Sequence, residues 1–439
     1  FRMTILASRD HTCIHPQVSR LPNKQDRCAE LIENLTYGEK CQFYSNTHRI
    51  NRQSALVDSS IPTPWDIEDL VTLGKKRKAC PYFASRGLQD EALIVFCPYN
   101  YLIDPEIRST MRLNLKGQIL ILDEAHNIED TSRESMSFDL TEEESLIAIR
   151  DFEKVGSEDF SSSCSGSYEA LSKMLSLVMK WVTEETQKLT DYVEFGKSSK
   201  ILSGTEILGV MKQIGLDEDN IKKLRGHLTT LSHHLEETLK LDNPNLPMLK
   251  KRSLRLCARF LSVLELLTMD GLKNCDDYKA AVVRERKEIK PSYNPDEWKS
   301  VRNVKKQFGW LSTLHFWCLN PALAFLELKE ELRSIVLTSG TLSPIISFQS
   351  ELGIPFDIQL EANHVIQKEQ IWIGSIISGP SNKLMNGTYQ FVDTYDYQDE
   401  LGRILLKVCE VVKYGVLCFL PSYRLLESLS NRWKLTGLW

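Results

Sequence analysis

Nothing in these 439 residues is apolar for long enough to cross a membrane. The stretch from Phe260 to Met269 is broken by Glu265, and a span needs about 20 apolar residues. No basic-then-apolar leader opens the chain. The paired Cys-x-x-Cys spacing of zinc ribbons is absent, and the eleven cysteines are an odd number without a framework. The odd count, together with the missing leader, favours a reducing compartment over a disulfide scaffold, so the sequons at Asn34 and Asn386 read as chance matches. An excess of positive charge is missing too. Lys and Arg number 54 against 59 Asp and Glu, for a net charge of −5 and a pI near 6.1. Any nucleic-acid partner must therefore be argued from local patches. With 42% hydrophobic and 26% charged residues, the chain has an ordinary globular composition. Its length predicts roughly two to four domains.

The stretch "LILDEAHNIED", Leu120 to Asp130, is where the chemistry concentrates. An apolar run stops at Asp123 and Glu124, with His126 two residues on. Mg²⁺ keeps most of its waters, so one carboxylate suffices to hold it beside phosphates. A carboxylate one residue further along can orient or deprotonate the attacking water. Such a site needs a glycine-rich phosphate loop, Gly-x-x-x-x-Gly-Lys-Ser/Thr, upstream. None is present. "FGKSS" at 195–199 ends like one, but Asp191 stands where its first glycine belongs, and it follows the carboxylates instead of preceding them. The expectation is a hydrolase site without its phosphate-binding half, in a chain that reads as the middle of a longer protein.

Short apolar runs at 3–8, 92–96, 118–122, 334–341, 371–377 and 415–420 predict strands. Continuous runs of this kind suit a parallel sheet buried on both faces. Residues 140–290 carry almost no strand signal. Leu171, Met174, Leu175, Val178, Trp181 and Val182 recur at helical steps, as do Leu254, Cys257, Leu261, Leu264 and Leu267, so a large helical insertion is expected. The Ser-rich 157–167 reads as a loop. The apolar stripes read as core, with no cofactor box.

Cys13, Cys28, Cys41 and Cys80 lie in an irregular segment. Four thiolates can bind Zn²⁺ or an iron–sulfur cluster, and spacing alone does not decide whether a metal is held at all. His11 and His15 beside Cys13 read as incidental. The basic run Lys75, Lys76, Arg77, Lys78, next to Cys80, and a second at Arg302–Lys306 read as solvated faces unless they border a nucleic-acid path.

"SRDHTCIHP", "KACPYF", "PYNYLIDP", "DEAHNIED", "LTSGTLSP" and "FLPSYRLLE" occur here in the order found in one family. From Met3 to Trp439 the chain resembles the iron–sulfur superfamily 2 helicases, relatives of the xeroderma pigmentosum group D helicase. "HFWCLNPALAF" and "IQLEANHVI" are similar to the branch acting in interstrand-crosslink repair and in fork and G-quadruplex processing. The resemblance implies an α/β fold: a RecA-like parallel-sheet motor domain with an iron–sulfur insertion and an all-α arch insertion, plus the start of a second RecA-like domain. By position, residues 1–12 and 86–131 would be motor domain 1, 13–85 the cluster domain and 132–314 the arch. Residues 315–345 would return to motor domain 1, and 346–439 would begin motor domain 2. Cys13, Cys28, Cys41 and Cys80 would hold a 4Fe–4S cluster. Asp123 would hold Mg²⁺ and Glu124 would activate water for ATP hydrolysis. His126, with Thr338, Ser339, Gly340 and Thr341, would couple hydrolysis to movement 5′ to 3′ on DNA. Lys75–Lys78 would be candidates for DNA contact. The implied partners are single-stranded and forked DNA, and repair proteins such as the breast cancer type 1 susceptibility protein, met outside these residues. The implied location is the nucleus, with no membrane role. Without the phosphate loop, residues 1–439 by themselves are expected to be inactive. Alternatives are a zinc-stabilised non-catalytic DNA-binding or scaffold protein, and a relative serving transcription and excision repair or telomeres.

Overall fold

The computed structural model describes residues 2–32, 40–158, 164–189, 197–240, 248–268, 273–289, 307–362 and 365–438. The second basic run, Arg302–Lys306, lies outside them, as does the middle of the Ser-rich stretch. The chain divides into two compact units, Phe1–Ile358 and Gln359–Trp439. None of the described helices is long and apolar enough to cross a membrane.

Two parallel strand pairs anchor the first unit. β1 (Met3–Ile5) pairs with β2 (Ile94–Phe96), Met3 opposite Ile94. β3 (Ile119–Asp123) pairs with β8 (Ser334–Thr338), Asp123 opposite Thr338. Parallel strands cannot be joined by a tight turn and need a long crossover. Here both crossovers are elaborated. The first carries the four-cysteine segment, and the second carries the whole central insertion. The four apolar runs predicted for this part therefore do form strands. Burial on both faces follows only in part. Leu120 and Leu122 are buried while Ile119, Ile121 and Val336 are exposed, as are Ile94 and Phe96. Among the described residues these two parallel sheets are each two strands wide; β3 alternates as a half-covered sheet requires, whereas β1 buries both Met3 and Thr4 and so is covered on both faces.

The insertion is not all-α. β4 (Phe138–Thr141), β5 (Lys197–Ser203), β6 (Tyr278–Ile289) and β7 (Gln307–Cys318) form an antiparallel sheet in the order β4-β7-β6-β5. Tyr278 faces Cys318 across the long β6–β7 pair. Ser312, Leu314, Phe316 and Cys318 point into the core at every second position, the period-two signature of a strand. Of the long helices Glu142–Glu158, Ser165–Gln187, Glu218–Lys240 and Lys251–Thr268, the second and the fourth carry the two apolar stripes read from the sequence. Together the helices bury Phe152, Leu171, Leu175, Val178, Phe260 and Leu264 in the same core as Phe138 and Phe316. That core runs without a break to Leu120, Leu122 and Ile128 beneath the carboxylates. The insertion therefore shares its core with the β3–β8 pair. "FGKSS" ends in β5, where Lys197 pairs with Glu285 at 2.7 Å, so its lysine is spent on a sheet contact. Residues His315–Cys318 belong to β7, and the chain returns through the helix Ala322–Glu331.

Local signals set the ends of the elements. Asp104 accepts from the backbone N–H groups of Glu106 and Ile107 ahead of Pro105, which opens the helix Pro105–Met111. Ser203 and Glu206 form a reciprocal cap on the helix Gly204–Gln213, satisfying two otherwise orphaned N–H donors.

In the second unit, the helices Tyr395–Val411 and Tyr423–Thr436 close around Leu425, Leu429 and Trp433. Trp433 donates its indole N–H to the Gln398 carbonyl at 2.8 Å. The strands expected at 371–377 and 415–420 are absent. Neither run joins a sheet: the first is followed by a single bridge, Ser378 opposite Leu384, and Ile373, Leu417 and Phe419 are exposed. An apolar run becomes a strand only where another backbone meets its N–H and C=O groups.

Candidate functional site

β3 and β8 end side by side, and the candidate catalytic residues follow them. After Asp123 the chain turns through Glu124, whose φ of 51° is left-handed. It makes one 3₁₀ turn, Ala125–Asn127, and enters the helix Ile128–Met136. That turn swings Glu124 and His126 toward the loop after β8. The Ser339 hydroxyl donates to Glu124 Oε2 at 3.2 Å. Its one hydrogen is then used, so Ser339 Oγ accepts from His126 Nδ1 at 2.8 Å and from the Thr341 N–H at 3.2 Å. His126 Nδ1 also lies 3.3 Å from Glu124 Oε2. The structure thus brings Glu124, His126, Ser339 and Thr341 into one hydrogen-bonded group, with Asp123 and Thr338 beside them as register partners. Gly340 lies in the turn between, with open space where a Cβ would stand. Tyr99 is a neighbour that the sequence reading missed. Burial, and then the charges of Asp123 and Glu124, push its phenol above its ordinary range. Its string, "PYNYLIDP", was noticed only for its order in the chain.

The four expected cysteines converge as well. Cys13 ends the helix Arg9–Thr12, Cys28 lies within Lys24–Ile32, and Cys41 and Cys80 each precede a helix. The Cys80 N–H donates to the Phe43 carbonyl at 2.8 Å, which ties the last cysteine to the third. All four line one small cavity with His15, Val18, Leu31 and Phe43. Burial pushes the Cys80 thiol up to about 12 and raises Cys13 and Cys41, with neighbouring thiols adding to each shift. Such thiols give up their protons readily only to a metal or a strong local cation. Among the described residues no three His, Cys, Asp or Glu side chains converge as a single metal ion requires. The four thiols ring a volume instead. Arg9 completes the surroundings: its guanidinium lies 4.0 Å from the Tyr82 ring centre, and against the lowering effect of burial the nearby Tyr82, Cys28 and Cys80 hold its pKa above the ordinary value. His15 Nδ1 accepts from the backbone N–H groups of Gln17 and Val18 at 3.3 Å. Cys97 follows β2 outside the cavity, and burial raises its thiol to about 11.

Lys75, Lys76, Arg77 and Lys78 are exposed at the C-terminus of the helix Ile67–Arg77. Positive charge there complements the helix dipole. They do not border the large cleft of about 1310 Å³ that opens between the cysteine segment, the 99–111 helices and the insertion. Its basic lining comes from Arg9, Lys24 and Arg133 and, in a row on one helix, from Arg252, Arg255 and Arg259. The sequence reading missed this row by following only the apolar stripe of its helix.

Residues 1–145 match the family model DEAD_2. The Fanconi anemia group J protein homolog of Gallus gallus is 41% identical over 450 residues, covering 100% of this chain and 35% of that protein. Along its whole length this chain is similar to the group of helicase relatives that includes the Fanconi anemia group J protein homolog. A second helicase relative, the regulator of telomere elongation helicase 1 homolog of Anopheles gambiae, is 31% identical over 470 residues. It covers 100% of this chain and 45% of that protein. The chain therefore spans less than half the length of these helicases. A solved structure titled XPD_Helicase aligns over 98% of this chain and 61% of its own, at 15% identity and a TM-score of 0.40.

Proposed function

We propose that this chain is the central part of an ATP-dependent DNA helicase of DNA repair that moves 5′ to 3′. One observation carries the reading: two strand ends, distant in sequence, place Glu124, His126 and Ser339 in one network. In this reading Asp123 holds Mg²⁺ on the nucleotide phosphates and Glu124 orients the attacking water. The exposure of both carboxylates at the sheet edge leaves room for a nucleotide. His126, Thr338, Ser339, Gly340 and Thr341 transmit the state of Glu124 to the DNA path. The phosphate loop comes from elsewhere in the parent protein, and residues 1–439 alone do not hydrolyse ATP. β1–β2 and β3–β8 belong to a RecA-like motor domain, and the second unit opens another.

Cys13, Cys28, Cys41 and Cys80 fit a 4Fe–4S cluster. They are all soft donors, they surround one cavity, and that arrangement favours a cluster over one zinc ion. When bound, the cluster would pin an otherwise loosely cored segment to the motor. The central insertion would be the arch. Single-stranded and forked DNA would be the substrate, Lys75–Lys78 an outer contact and the nucleus the location. The higher identity to the Fanconi anemia group J homolog favours crosslink and fork repair, with its repair-protein partners bound outside these residues. The telomere-helicase relatives support telomere maintenance as the second reading.

The test is DNA-stimulated ATP hydrolysis and unwinding by the full-length protein on forks with a single 5′ or 3′ tail. Unwinding of the 5′-tailed fork is expected. No stimulated hydrolysis would refute the helicase reading, and unwinding only from the 3′ tail would refute its polarity.

A further inference from the structure

The helix that follows Glu124 and His126 is held at both ends. In front, the 3₁₀ turn Ala125–Asn127 passes into Ile128–Met136 through Asn127 and Ile128, both in right-handed helical conformation. No joint therefore separates His126 from the helix, and the nearest break in the path is Glu124, at φ 51°. Behind, the last carbonyls of a helix lack partners within it, and here other parts of the chain supply them. The Tyr278 hydroxyl, from β6, donates to the Met136 carbonyl at 3.0 Å. The Ser137 hydroxyl donates to the Arg133 carbonyl at 2.7 Å and accepts from the Cys318 N–H, at the end of β7, at 2.9 Å. Tyr278 is 1% exposed. Burial, then the neighbouring Cys318, push its phenol above the ordinary range, which keeps it a donor. Nine residues of helix make a rod of about 13.5 Å, with Glu124 and His126 at one end and the insertion's sheet at the other. Its middle holds an anomaly. Ser132 is 0% exposed, and its hydroxyl meets no hydrogen-bond partner among the described residues. A helical serine can ordinarily donate to the carbonyl four residues back, and a buried hydroxyl left unpaired is destabilising.

We infer that Tyr278 is a positioning residue for ATP hydrolysis, setting through the Met136 carbonyl where this helix holds Glu124 and His126, and that Ser132 gains its partner when the helix shifts. The inference rests on the helicase reading of the site and adds the route by which the insertion acts on it. Packed helices shift as units by about 1–2 Å in such transitions. A displacement of that size takes a contact such as His126–Ser339, now 2.8 Å, out of hydrogen-bond range. A small movement of the sheet behind Met136 is thereby felt at Glu124. An unpaired hydroxyl in a native interior calls for an explanation, and a second helix position that satisfies it supplies one. Arg133, on the same helix, agrees. Its guanidinium is held by Glu129 at 2.8 Å and Asp130 at 3.2 Å on its own helix, while Glu351, from the helix behind the Ser339 loop, lies at 3.9 Å. That tie between the two helices is slack, as a shift requires.

The experiment measures kcat and KM for ATP in the full-length, cluster-loaded protein, with and without saturating oligothymidylate, alongside thermal unfolding. Tyr278→Phe removes one oxygen. DNA-stimulated kcat should fall about 2- to 30-fold with KM for ATP unchanged. The loss should not add to that of Ser339→Ala, because both act through His126. Ser132→Ala deletes the unpaired hydroxyl. It should raise the unfolding temperature and yet lower DNA-stimulated kcat, two effects that a purely structural serine would not combine. Ser312→Ala, which removes a buried hydroxyl contact to Thr186 elsewhere in the insertion, should lower the unfolding temperature and leave kcat alone. Full DNA-stimulated kcat in Tyr278→Phe overturns the inference, as does a Ser132→Ala protein that is less stable or fully active, or an equal loss of kcat in Ser312→Ala. If Tyr278→Phe fails to fold, Ser132→Ala decides. A wild-type protein whose hydrolysis ignores DNA overturns the helicase reading itself.

Discussion

His126 Nδ1 and Ser339 Oγ stand 2.8 Å apart although 213 residues separate them in sequence. With the serine hydroxyl donating to Glu124, the histidine donates to the serine in the tautomer that carries its proton on Nδ1. A change at either the histidine or the carboxylate is felt by the other through one oxygen. Ser339→Ala removes that oxygen and leaves both partners in place. A hydrogen bond to a charged group contributes about 1.5–3 kcal/mol, so DNA-stimulated turnover of the full-length protein should fall about tenfold or more. Nucleotide affinity should be retained. Equal stimulation by DNA in wild type and Ser339→Ala would show that the contact transmits nothing.

Glu124→Gln tests the role of the carboxylate itself. The amide keeps the size and can still accept from Ser339, but it cannot take a proton from water. Turnover should drop by roughly 10²–10⁴ while ATP still binds, read by single-turnover kinetics and nucleotide affinity on the same preparation. Near-normal turnover would move the water-activating role to another group.

Two glycines in one helix give opposite expectations for stability. A Cβ on Gly204 would sit 2.1 Å from the Cys275 carbonyl oxygen, a backbone atom that cannot swing away, whereas Gly209 meets nothing within 4 Å. Gly204→Ala should destabilise by about 1–3 kcal/mol or more through overpacking. Gly209→Ala, exposed in the middle of the helix, should stabilise by up to about 1 kcal/mol. Thermal unfolding of the two variants should shift in opposite directions. A common direction would contradict the close approach of this helix to Cys275.

The parallel pairs were legible because a continuous apolar run admits few other readings when a turn and then a helix follow it. The carboxylates were legible because Asp123 and Glu124 end such a run. The insertion's sheet was not. In β7 the positions that alternate with the core side chains carry Leu311 and Trp317, so both faces hold apolar residues and the period of two is hidden. In β6 the apolar half gives way to "RERKEI", which reads as a solvated helix. The runs at 371–377 and 415–420 failed in the other direction: their composition suits a strand, but pairing depends on a neighbour that composition does not reveal. The arginine row on the 251–268 helix was visible in "KRSLRLCARF" as a second stripe, complementary to the apolar one.

The four-thiol cavity can be tested against a half-buried thiol that lies outside it. Cys80 borders the cavity and is joined through its N–H to Phe43, beside Cys41. Cys97 does not border the cavity and packs against the apolar groups behind β2. Around the cavity the local apolar core is small, with Val18, Leu31 and Cys41 as its buried members, so that segment depends on a bound metal more than the insertion does. Serine at position 80 offers a hard, far less acidic oxygen in place of a soft thiolate that iron favours. Cys80→Ser should therefore lose iron and acid-labile sulfide. It should also loosen the exposed run Lys75–Lys78, which directly precedes Cys80, and abolish strand separation while DNA binding persists elsewhere on the motor. Cys97→Ser should lose stability through packing and retain its iron. The measurement is iron and sulfide per chain for both variants, purified without oxygen, alongside protease sensitivity at the Lys75–Lys78 run. Full iron in Cys80→Ser, or iron lost only in Cys97→Ser, would remove these four cysteines from consideration as ligands.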